Sequence, residues 1–98
     1  MVRVILPFHL RTLAKVDREV LVDVPGAVSV ASVLEAVERS YPVLRGTIRE
    51  HDTLKRRAFL RFFAAGEDIS FDAADAELPA SIASGQEPLM VVGAIAGG

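Results

Sequence analysis

The stretch "SVASVLEAVERSYP", residues 29 to 42, constrains the fold more than any other part of the chain. Val30, Val33, Leu34 and Val37 recur at the spacing that gathers them on one side of a helix. Glu35, Glu38 and Arg39 fall off that stripe. Ser29 stands just before it, with a hydroxyl able to accept a free N–H of the first turn. Pro42 cannot continue the helix and pushes Tyr41 out of helical geometry. A lone amphipathic helix cannot bury its own stripe, so the rest of the chain must supply the surface that covers it.

That surface reads as β. "VRVILPF" (Val2 to Phe8) is β-branched and apolar, with Val2, Val4 and Leu6 on one face and Arg3 and Ile5 on the other. "LAKVD" then supplies a turn. "REVLVDV" (Arg18 to Val24) is a second strand, and two runs this close predict a hairpin. Pro25-Gly26 ends it. Past the helix, Val43 to Arg57 is charged, carries Gly46 and predicts a loop with a helical turn. "AFLRFFA" (Ala58 to Ala64) is a third strand and "EDISF" a short fourth, with Ala65-Gly66 as the tight turn between them. "AELPASIASG" predicts a helical turn closing at Gly85. "PLMVVGA" is the last strand, with Leu89 and Val91 on one face and Met90 and Val92 on the other. The order is β-β-α-β-β-β. The economical arrangement is an α+β roll over residues 1–98 as a single domain: a mixed sheet of four to five strands packed on one main helix.

The composition allows such a core and excludes several functions. At 98 residues and 51% hydrophobic, the chain does not need disulfide staples. It has no cysteine, which excludes a disulfide scaffold, a thiolate metal site, a cysteine nucleophile and a side-chain persulfide. His9 and His51 lie in different segments without a third ligand at useful spacing, so no metal is expected. Glu67-Asp68 and Asp72/Asp75 sit near turns and read as solvated acids. No Gly-x-Ser-x-Gly and no Gly-rich loop before a helix is present, so nothing points to an enzyme or to a bound cofactor. Lys55-Arg56-Arg57 with Phe59 and Phe63 has the residue types for stacking on RNA, but the net charge of −2 and the acidic remainder argue against nucleic acid. The apolar runs are far short of a membrane span, and "MVRVILPFHL" lacks the pattern of a signal peptide, so a cytoplasmic location is expected.

One face of the sheet carries information beyond the fold. If Val4, Leu6, Val20, Val22, Leu60, Phe62, Ala64, Leu89 and Val91 point at the helix, then Ile5, Phe63, Met90 and Val92 share the other face with Arg3 and Arg61. Apolar residues grouped on an open face mark a docking surface. The second informative feature is "MVVGAIAGG", residues 90 to 98, where a strand runs through small residues to Gly97 and Gly98.

That order and that tail resemble the MoaD/ThiS family of ubiquitin-like β-grasp sulfur carriers. The resemblance covers nearly the whole chain. It is carried by "VRVILPFHLRTL", "VSVASVLEAVERSYPVL", "FLRFFAAGEDISF" and "VVGAIAGG". Gly93 stands where the family often has proline, Ala65 where it often has asparagine, and "SGQEP" replaces the common Gly-Asp-acidic turn. The resemblance implies a protein co-substrate rather than an enzyme. Gly98, preceded by Gly97, would be adenylated by an ATP-dependent, E1-like adenylyltransferase and converted to a thiocarboxylate. A downstream synthase in cofactor (molybdopterin or thiamine) or cysteine biosynthesis would accept the sulfur. The partners would meet Ile5, Arg61, Phe63, Met90, Val92, Ala94, Ile95 and Ala96. ATP is used by the activating partner. The 15 residues from Val43 to Arg57 lean towards the molybdopterin or cysteine type. Two alternatives share the same residues: a ubiquitin-like modifier conjugated through Gly98 to lysines, and a β-grasp binding subunit with an unreactive tail.

Overall fold

The computed structural model describes residues 1–93. Five strands form one mixed sheet: β1 (Val2–Ile5), β2 (Glu19–Val22), β3 (Leu60–Ala64), β4 (Glu67–Asp68) and β5 (Leu89–Gly93), in the spatial order β2-β1-β5-β3-β4. β1 and β5 pair in parallel at the centre, Val4 opposite Leu89. β2 and β3 flank them antiparallel, with Val4 opposite Val20 and Phe62 opposite Val91. The main helix, α2 (Val30–Ser40), covers one face.

The expected inward set is buried throughout: Val2, Val4, Leu6, Val20, Val22, Leu60, Phe62, Ala64, Leu89 and Val91 from the sheet, and Val30, Val33, Leu34 and Val37 from the helix. Each such side chain contributes about 1.5–3 kcal/mol when fully removed from water. Ser29 caps α2 as its sequence predicts. Its Oγ accepts from the Ser32 N–H at 3.1 Å, and the Ser32 hydroxyl accepts in return from the Ser29 N–H at 2.9 Å. Ala65 and Gly66 form the β3–β4 turn with φ of 51° and 80°.

Several elements depart from the sequence reading. The first strand stops at Ile5, not Phe8, and a helix, α1 (Phe8–Ala14), fills the connection to β2 ahead of the turn at Lys15. Pro7 has no N–H to give a ladder, and its carbonyl instead accepts from Leu10 and Arg11, which starts the helix. The second and third strands are shorter at their outer ends than Arg18 to Val24 and Ala58 to Ala64, although Val24 still packs on the core. The fourth stops at Asp68 because the Asp68 carboxylate takes the Ser70 N–H, and the Ser70 hydroxyl replaces a backbone partner for Phe62. The segment 43–57 contains more than a loop. After one 3-10 turn (Pro42–Leu44), Leu44 and Ile48 are fully buried, and Arg49 inserts beside them. A further helical turn, α3 (Ala80–Ala83), closes at Gly85 as expected. Among the described residues, no helix is long and apolar enough to cross a membrane.

Candidate functional site

The register brings the predicted outer-face residues together. Ile5 lies opposite Met90, and Met90 opposite Phe63, so three apolar side chains form one row across β1, β5 and β3. Val92 and Arg61 form the next row towards the end of β5. Met90 and Val92 are exposed, at 39% and 37%, while Ile5 and Phe63 are half-buried. Phe63, Met90 and Val92 floor a shallow groove of about 430 Å³. Ala65 and Gly66 of the β3–β4 turn wall one side, and Glu87 and Pro88 ahead of β5 wall the other. Five of these seven lining residues are apolar side chains and one is glycine, so the groove suits an apolar ridge more than a polar ligand.

Charge rims the groove, and most of it is tied down. Arg3 bonds Glu19 at 3.2 Å and reaches the carbonyls of Gly85 and Gln86 at 3.3 Å, clasping the turn before β5. Arg61 lies 3.6 Å from the Asp68 carboxylate, and its guanidinium stacks 5.0 Å from the centre of the Phe71 ring. Arg56 stacks on the same ring at 4.9 Å. Hydrogen bonds from Ser70 hold the Asp68 carboxyl below the ordinary aspartate value, and Arg61 and Arg56 add to this. Arg56 also donates to the carbonyls of Leu60, Ser70 and Arg57, so the centre of the basic run braces the chain. Phe71 was legible only as the end of a strand. It is instead an exposed ring on which the Arg56 and Arg61 guanidiniums both stack, a grouping no local pattern announces.

The other half of the predicted site lies at the end of β5. Gly93 pairs with Leu60. Because β5 is parallel to β1, its Gly93 end lies beside the point where β1 runs into Pro7 and α1. A β-carbon on Gly93 would stand 3.4 Å from Pro7 Cβ and 3.7 Å from His9 Cε1. His9 and Phe8 were not expected there, since the sequence reading kept Phe8 in a strand. The predicted residues Ala94, Ile95, Ala96, Gly97 and Gly98 lie outside the described residues. Among the described residues, no group of three histidine or acidic side chains is placed to hold a metal ion.

Two solved structures share this architecture along its whole length. SAMP1 from Haloferax volcanii superposes with a TM-score of 0.74, at 24% identity, covering 98% of this chain and 97% of that one. The fold is the ubiquitin-like β-grasp. A chain of the BexX/CysO complex of Amycolatopsis orientalis gives a TM-score of 0.76, also at 24% identity, covering 100% of both chains. No protein-family model and no curated protein matches the chain. At this identity the likeness is one of fold, so the β-grasp frame is established and its use is argued from the residues.

Proposed function

We propose that this β-grasp protein is a sulfur carrier, a co-substrate activated at the carboxylate of Gly98. The observation that carries the reading is the course of β5. The central strand β5 carries the chain to Gly93, with an apolar groove beside it, and the sequence continues through Ala94, Ile95 and Ala96 to Gly97 and Gly98. A carboxylate is a poor electrophile because oxide would have to leave. An E1-like adenylyltransferase removes that obstacle. A Gly98 carboxylate oxygen attacks the α-phosphorus of ATP, the bond to the β-phosphate breaks, and pyrophosphate departs. The acyl-adenylate then reacts with a sulfide-equivalent donor at its carbonyl carbon. AMP leaves with its oxygen, and a thiocarboxylate remains. No redox change at carbon is required when the donor delivers sulfur as sulfide.

The sequence serves that chemistry. Glycine has no Cβ, so Gly97 and Gly98 suit a narrow channel, and Ala94 and Ala96 keep the approach slim. Sulfur held on a terminal carbonyl needs no cysteine, and the chain has none. The groove under Phe63, Met90 and Val92, with Ile5 and Arg61 beside it, would dock the activating enzyme and then the synthase that accepts the sulfur. One of the two similar structures is of a complex, BexX with CysO, as expected if chains of this fold work through assembly.

Intact and C-terminal-peptide mass spectrometry tests the reading, after incubation with the cognate activating enzyme, ATP and a sulfide source. The expected result is an ATP-dependent exchange of one oxygen for sulfur on the peptide ending at Gly98. Absence of any ATP-dependent change overturns the proposal. Isopeptide-linked diglycine remnants on lysines of other proteins, without sulfur exchange, would make the chain a modifier instead.

A further inference from the structure

Two phenylalanines stand at the end of the sheet where β5 finishes. Phe8 follows Pro7, whose Cβ is 3.4 Å from where a side chain at Gly93 would begin, and His9 lies 3.7 Å from the same point. Phe59 precedes Leu60, the cross-strand partner of Gly93. Phe8 and Phe59 are 75% and 76% exposed. Phe8 is held in place, because it opens α1 and the Arg11 guanidinium stacks on its ring at 5.6 Å. Nothing in the packing of the sheet on α2 uses either ring.

We propose that Phe8, His9 and Phe59 form a collar that docks against the activating enzyme, in addition to the outer-face groove. This rests on the reading that Gly98 is the activated residue. The occupant follows from reach. Five residues run from Ala94 to Gly98. An extended chain advances at most about 3.6 Å per residue, so the reacting carboxyl lies within about 18 Å of Gly93. An adenylating site is recessed, since it must enclose ATP and align the attacking oxygen. An enzyme that encloses a carboxyl this close to the sheet must bring its own surface up to the residues around Gly93. Those residues offer two rings and an imidazole. Exposed aromatic side chains in fixed positions are what interfaces use as anchors.

The test reads binding separately from activation. The cognate enzyme is titrated with the full chain, with F8A and with F59A, and melting temperatures are recorded alongside. Each alanine variant should bind at least about tenfold more weakly, the change expected of an interface anchor. Melting should be unaltered, because both rings are mostly in water already. If either variant melts early, His9→Asp, at an exposed position, takes its place and should weaken binding in the same way. Equal affinity for the wild type and the variants overturns the collar, whether or not the tail is activated. Unaltered affinities with no ATP-dependent activation of the wild type would overturn both the collar and the proposed function. Weakened binding of the variants with no activation of the wild type would overturn the function alone.

Discussion

Arg49 is the least expected residue of the molecule. It came from a stretch read as a charged loop, yet it is buried, and it grips Glu38 of α2 through two hydrogen bonds of 2.9 Å. The side chains are only 9% and 12% exposed, so neither charge is well served by water. Removing one partner of such a pair leaves the other uncompensated, at a cost of about 3–5 kcal/mol, whereas replacing both with apolar residues of similar size is often neutral. Arg49→Met and Glu38→Leu should therefore each lower the stability measured by urea unfolding by about that amount, and the double variant should recover most of it. A double variant as unstable as the sum of the singles would mean that the two side chains act independently. The neighbouring phenylalanines of β3 give a second comparison. Phe62 is buried and Phe63 half-buried on the groove side. Phe62→Ala should cost about 3–5 kcal/mol. Phe63→Ala should cost clearly less and weaken partner binding instead. Equal losses of stability would contradict the face assignment.

At the scale of elements, legibility followed periodicity. The stripe of α2 and the alternation of β1, β3 and β5 were readable because each repeats over several residues, although β1 ends and β3 begins inside the runs read from sequence. α1 was not readable. Leu10 is its one buried side chain, and a seven-residue helix with a single anchor has no period to detect. The contribution of Leu44 and Ile48 was hidden for a related reason. Two apolar residues four apart, separated by Gly46 in a left-handed conformation (φ 79°), look like a loop until the surface they fill is known. The outer-face row was legible from alternation alone, whereas the Arg56–Phe71–Arg61 stack needed the third dimension. Gly85 shows a local rule and a tertiary contact acting together. Its φ is 82°, and a β-carbon there would overlap the carbonyl oxygen of Met1. Both features penalise any side chain, and the second cannot be relieved by a rotamer change because the obstacle is backbone. Gly85→Ala should destabilise by more than about 1 kcal/mol, detected as a lower melting temperature. Gly66→Ala, at φ 80° with open space around it, should cost less.

At the scale of the whole molecule, the β-grasp separates stability from the proposed chemistry. Among the described residues, the buried core runs from Val2 to Val91. Within the basic run between Arg45 and Arg61, Arg49, Arg56 and Arg61 are committed to Glu38, to backbone carbonyls and to Asp68. Under the proposed function, a partner would meet the apolar groove, the exposed rings and the tail. Changes of tail length should therefore act on activation alone. Deleting Gly98, or adding one residue after it, moves the reacting carbon by about 3.5 Å, one residue's reach. An error of ~1 Å in a near-attack geometry already costs about 100-fold, so both variants should lose ATP-dependent thiocarboxylate formation with the cognate activating enzyme. Their thermal melts should superimpose on that of the native chain, since none of the described core residues is changed. Mass spectrometry of the recovered protein shows whether a protease has trimmed the added residue. An extended chain that stays untrimmed and is activated as well as the native one would show that Gly98 is not the working end, and the carrier assignment would fall with it.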